Sequence, residues 1–209
     1  MARRAFSTAL AGLTLVLLGA CGPRDRAPPM LTVSALDCVS FPALANATPL
    51  PVTGKTSLAM TAATPCLSDG QGLKRLYALF QLPDANSLAY TVSVASIAQG
   101  QSVFAPQITL LNALGEPIRE ISSETLQFRG GSLTGLFRSR AGEQYLLVTS
   151  NPNAVGLRFS RTAQAVSSST VAAGGGFVNV HTGMDTTTDY VFAHSGKIEV
   201  SIDPLPTKG

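Results

Sequence analysis

From Leu73 onward, glycine, proline and asparagine cut the chain into short apolar runs, a spacing that admits strands far more readily than helices. Residues 90–96 show the pattern most plainly. Tyr90, Val92 and Val94 alternate with Thr91, Ser93 and Ala95, the period of two that a half-buried strand requires. Residues 77–82 run into Pro83 and Asp84, and residues 107–112 follow Pro106 and stop before Leu114 and Gly115. Runs at 117–122, 126–129 and 133–138 come next, the last two joined by Gly130 and Gly131 as a tight turn. Residues 145–149 form a short apolar run, as in a central strand, and Asn151, Pro152 and Asn153 close it. Residues 156–162 and 197–202 complete the series. Residues 162–173 are the stretch open to a short helix, residues 174–176 read as a flexible linker or a hairpin turn, and residues 184–190 as a threonine-rich turn. The fold expected is all-β: a single antiparallel β-sandwich or jelly-roll-like domain.

The first twenty residues follow a different rule. Arg3 and Arg4 form a charged start, residues 6–18 are an apolar stretch, and Leu18-Gly19-Ala20-Cys21 closes it. The run is short for a membrane span, and small residues before a cut fit a signal peptidase. With cysteine at the cut, this segment resembles the bacterial lipobox, whose thiol takes a diacylglycerol before cleavage. The other readings are a secretory signal with a chance cysteine, or an uncleaved anchor. The lipoprotein reading makes residues 1–20 a signal peptide and Cys21 the lipid attachment site. Two or three acyl chains at about 0.8 kcal/mol per buried methylene hold a protein firmly to a bilayer. Gly22 in the position after the cysteine, where aspartate retains enteric lipoproteins at the inner membrane, points to the outer membrane, facing the periplasm. Removing Arg3 and Arg4 lowers the net charge from +3 to +1, which leaves no electrostatic footprint for nucleic acid.

Cys38 and Cys66 are the remaining cysteines. In an oxidising compartment two thiols most simply pair, and the alternative is two unrelated buried cysteines. A bridge over this span would contribute about 3 kcal/mol through the denatured chain. Prolines at 23, 28 and 29 with alternating charges make residues 21–36 a lipidated N-terminus and flexible tether. The β-sandwich is then expected at 37–204, with residues 205–209 a C-terminal tail.

Four pieces stand in a particular order: Phe80-Gln81-Leu82-Pro83; Val103-Phe104-Ala105-Pro106 leading into Ile108-Thr109-Leu110-Leu111-Asn112; residues 145–150; and His194-Ser195-Gly196-Lys197-Ile198-Glu199-Val200. Their order and spacing, over residues 36–203, resemble the maltose operon periplasmic protein (MalM) family, in a variant that carries a lipobox. The resemblance implies a non-catalytic, periplasm-facing protein that supports uptake or binding of maltose or maltodextrin-type carbohydrate. The alternative is a structural or adaptor subunit of an envelope complex that uses its sheet edges for protein contacts. The residues themselves make Pro106 the start of an edge strand and Phe104 a filler at the end of the core.

Chemistry is sparse. His194 and Ser195 with Asp185 or Asp189 can be drawn as a triad, but neighbours on an extended chain point to opposite faces. Gly130-Gly131-Ser132-Leu133-Thr134 lacks the last glycine of a nucleophile elbow. Glu116, Glu120 and Glu124 read as solvated positions, and Asn179, Asp185 and Asp189 do not match a calcium-loop spacing. No catalytic residue, metal or cofactor is therefore expected. Sugar stacking needs an exposed aromatic ring; Trp is absent, and of the tyrosines Tyr190 is the best candidate, although packing at the sheet edge is its simpler reading.

Overall fold

Alternation becomes strands wherever the turn residues leave room for them. A computed structural model describes residues 31–33, 36–85 and 89–206. The expected signal peptide and Cys21 lie outside them. In chain order the strands are β1 (Thr48–Pro49), β2 (Lys55–Met60), β3 (Cys66–Ser68), β4 (Lys74–Gln81) and β5 (Tyr90–Ile97). They continue with β6 (Ser102–Phe104), β7 (Pro106–Leu111), β8 (Pro117–Ile121), β9 (Gln127–Arg129) and β10 (Ser132–Arg138). Last come β11 (Tyr145–Ser150), β12 (Arg158–Ala173), β13 (Gly176–Ala193) and β14 (Gly196–Pro204).

Two sheets form the expected sandwich. One has the order β1-β4-β11-β7-β8, with β3 also on β4; the other runs β2-β14-β5-β10-β9. Pairing is antiparallel except for the short β1–β4 and β13–β6 contacts. The period of two decides what is buried. Tyr90, Val92 and Val94 of β5 and Ile198, Val200 and Ile202 of β14 meet Leu76, Ala78 and Phe80 of β4 and Leu146 and Val148 of β11 in one core. Strands β4 and β11 are buried on both faces, because Leu44, Ala47 and Leu67 cover Tyr77, Leu79, Leu111 and Leu147 on the outer side. The apolar run at 145–149 is accordingly a central strand, between β4 and β7.

Three sequence expectations are corrected. Residues 162–173 are not helical; they belong to β12, and residues 184–190 are not a turn but part of β13. Of the two options for residues 174–176, the hairpin turn is the one formed. Gly174 and Gly175 have φ of 59° and 87°, as Gly130 and Gly131 have 52° and 83°, the positive pair a tight two-residue hairpin demands. Pro106 opens β7, but β7 lies between β11 and β8 and so is not an edge strand. As its first residue Pro106 does not disturb the ladder. Phe104 is buried in the core, as expected.

Packing also reaches upstream of Asp37. Val33 is 3% exposed within the core, and Leu31 and Leu36 pack against it. The last residues assigned to the tether are thus part of the folded unit.

Candidate interaction surface

Strands β12 and β13 pair over 16 residues of β12 without a register shift, from Arg158↔Val191 to Ala173↔Gly176. At roughly 3.3 Å per residue this is an arm about 50 Å long. Among the described residues its only other ladder is at the root, where Val191, Phe192 and Ala193 of β13 meet β6. Beyond the root almost every side chain of known exposure is open to solvent. Phe177, next to the tip, is 82% exposed and Met184 69%.

Residues opposite each other in an antiparallel ladder share a face. The pairs Ala165↔Met184, Ser169↔Val180 and Val171↔Val178 therefore stand on one side of the arm, and Gln164↔Asp185, Ser168↔His181 and Thr170↔Asn179 on the other. The first face also carries Ser167 and Thr182 and the second Val166 and Phe177, so the two differ in degree, the first the more apolar and the second the more polar. The root is fixed by an aromatic cluster. Phe159 stacks on Tyr190 and Phe192 at centroid distances of 5.4 Å and 4.8 Å, and Phe128 of β9 joins at 5.6 Å and 4.9 Å from Phe159 and Tyr190. Arg161 donates to the Phe128 carbonyl at 2.8 Å and lies over its ring. These contacts join the root of the arm to the five-stranded sheet.

The other candidate residues separate clearly. Cys38 and Cys66 form a disulfide. Asp185 and Asp189 face Gln164 and Ser160 across the arm, with Asn179 six residues from Asp185 on a straight strand, so they are not gathered as ligands. Among the described residues no group of three potential ligands is close enough to hold a metal ion. Glu116, Glu120 and Glu124 are exposed. Tyr190 packs in the root cluster, Tyr77 and Tyr90 are buried, and Tyr145 is half-buried, so each of the four is at least partly packed. A surface groove of about 420 Å³ is lined in part by Asn46, Thr48, Leu58 and Tyr77.

His194 does not join Asp185 or Asp189. Its Nδ1 instead lies 2.9 Å from Ser150 Oγ, a contact the sequence did not announce. Ser150 is fully buried, and its Oγ also accepts the Leu76 N–H at 3.1 Å, so the hydroxyl braces β4 against β11. Burial lowers the His194 pKa below the ordinary 6.5. The unfolded chain therefore takes up the proton first on acidification. The stability this neutral ring contributes is complete above pH 6.5 and is lost as the pH falls through the lower folded value. Urea midpoints at pH 7.5 and 5.5 should fall more for the wild type than for His194→Gln; equal falls would place the acid sensitivity elsewhere.

The second unannounced pair is ionic. Arg119 Nε lies 2.8 Å from Glu143 Oε1, and Arg119 Nη2 donates to Oε2 at 3.0 Å. Glu143 also accepts the Arg140 N–H at 2.9 Å. The Nε contact is not aligned as a hydrogen bond, so its attraction is Coulombic. Both groups are largely out of water, Glu143 almost completely.

No protein-family model matches this chain, and no curated protein matches it. Among solved structures it is similar to the pre-peptidase C-terminal domain of a collagenase from Bacillus anthracis, at 10% identity over 76% of this chain and 95% of that one, with a TM-score of 0.32.

Proposed function

We propose that this chain is a non-catalytic lipoprotein of the bacterial cell envelope, anchored through Cys21, that works by contact with other envelope molecules. The observation that carries the reading is the β12–β13 arm: a ribbon packed at its root whose outer backbone edges, among the described residues, are unpaired over residues 176–190 of β13 and along β12. Such edges are the natural template for further strand pairing. The disulfide supports an address in an oxidising compartment. The resemblance to the MalM family supports a place beside carbohydrate uptake. The contact reading stands ahead of direct sugar binding because the tyrosines are packed or buried.

Fractionation tests the anchor. Wild-type protein should sediment with membranes and take up labelled fatty acid, and Cys21→Ser should do neither. A variant that fractionates and labels like the wild type removes the anchor from the proposal. A rise in Tm with maltodextrins would replace contact by carbohydrate binding as the leading activity.

A further inference from the structure

We infer that the β12–β13 arm is a membrane-inserting hairpin: a lipid bilayer takes up its charge-free outer part, and the arms of further copies of this chain close its edges into a barrel. The inference deepens the contact reading of the arm and rests on it.

Charge is the first observation. Residues 162–184 contain no Asp, Glu, Lys or Arg and no proline. In the ladder this leaves every rung from Ala165↔Met184 to Ala173↔Gly176 uncharged, together with the glycine turn. A ribbon that lived in water with two open edges would be guarded by lysine, proline or a bulge. This one has none of them over its outer part.

Length is the second. The uncharged part of each strand, residues 165–173 and 176–184, matches the roughly 9–11 tilted residues with which a strand crosses a bilayer. No charge has to cross with the tip. Arg161, Asp185 and Asp189 all lie toward the root, where the water boundary would fall.

The faces are the third. Ala165, Val171, Val178, Val180 and Met184, with Ser167, Ser169 and Thr182 between them, make the side turned to lipid, and Ser168, Thr170, Asn179 and His181, with Val166 and the tip residue Phe177, make the side turned to a wet lumen. Hydrocarbon offers no partner to a backbone amide, so a lone hairpin cannot span. The free edge of β12 in one copy and that of β13 in the next run antiparallel and can pair in sequence around a ring. The aromatic root would hold each arm at a fixed angle to its sandwich while they do so.

The test uses the full chain with Cys21→Ser, leaving Cys38 and Cys66 bonded, and vesicles of phosphatidylethanolamine and phosphatidylglycerol loaded with a self-quenching dye. All samples differ only in the arm, so any effect of the N-terminus cancels and the anchor is judged separately by fractionation. Single cysteines, Ala165→Cys through Val171→Cys, carry a fluorophore that shifts to the blue in hydrocarbon. The expected result is dye release with a blue shift at 165, 167, 169 and 171 but not at 166, 168 and 170. Val178→Asp with Val180→Asp should cut release at least about tenfold, whereas Ser168→Asp with Thr170→Asp should leave it within about twofold. Absence of release and shift overturns the inference, as does a shift without alternation or an equal loss in both charge variants. Oligomers that form in buffer while the vesicles stay sealed also overturn it, since the arms would then pair in water.

Discussion

A chain that stops at Ser195 should fail to fold, although it loses only the last fourteen residues. Strand β14 is not a tail. It lies between β2 and β5, pairing with β2 from Gly196↔Met60 to Ser201↔Lys55 and with β5 from Lys197↔Ile97 to Pro204↔Tyr90. Its inward residues Ile198, Val200 and Ile202 are within 2% of full burial. Each is worth roughly 1.5–3 kcal/mol of burial, against a typical total stability of about 5–15 kcal/mol. Removal also strips β2 of the ladder that ties it to the sheet and opens the inner edge of β5, leaving two sheet edges above an uncovered core. The truncated chain should lack a cooperative urea transition and should aggregate or be degraded, while full-length protein unfolds in one step. Limited proteolysis of the full chain gives the opposite check. A stable product ending before residue 195 would mean that the strand contributes little.

The same strand shows why so much of the fold was legible. Ile198, Val200 and Ile202 alternate with Glu199 and Ser201, and β5 alternates in the same way, so one face of each had to be inside. Strand β11 gave the other kind of signal, a run without alternation, and it is buried on both faces. Polar composition hid the arm. Residues 162–173 and 184–190 are rich in Ser, Thr and Ala, whose alternation is too weak to mark a core face because the outer arm packs against no core. The glycine turn was the usable clue: a tight hairpin turn implies two strands of matched length on either side. Val33 was obscured by its setting, a single apolar position beside a proline-rich segment.

The contacts within the folded unit were less legible than its strands. The pairing of Cys38 with Cys66 was legible once Cys21 was read as the lipid attachment site. Ser150 and His194 are 44 residues apart, and only the return of the chain from the arm to the sandwich, at the end of β13, brings them together. Arg119 and Glu143 carry no spacing signal either. Arg119 sits in the exposed-looking strand β8, and Glu143 in a turn that reads as solvent-facing.

That ion pair supports the second large expectation, a loss of about 3–5 kcal/mol when Glu143 is neutralised. Glu143→Gln keeps the size of the side chain and can still accept from the Arg140 N–H. It leaves the Arg119 guanidinium largely buried without its counter-charge, with the neutral amide oxygen, the Arg138 carbonyl at 3.0 Å and the Phe137 ring at 5.4 Å as its remaining partners. Breaking one half of a buried pair costs more than the pair contributes, because the stranded charge retains its desolvation penalty. The double variant Arg119→Met with Glu143→Gln removes that stranded charge and should recover much of the loss. The measurement is a urea midpoint for the wild type, each single variant and the double, with the slope of the transition held constant as the sign that the native state is otherwise intact. A double variant as unstable as the sum of the two singles would show that the groups act independently, with no buried pair between them.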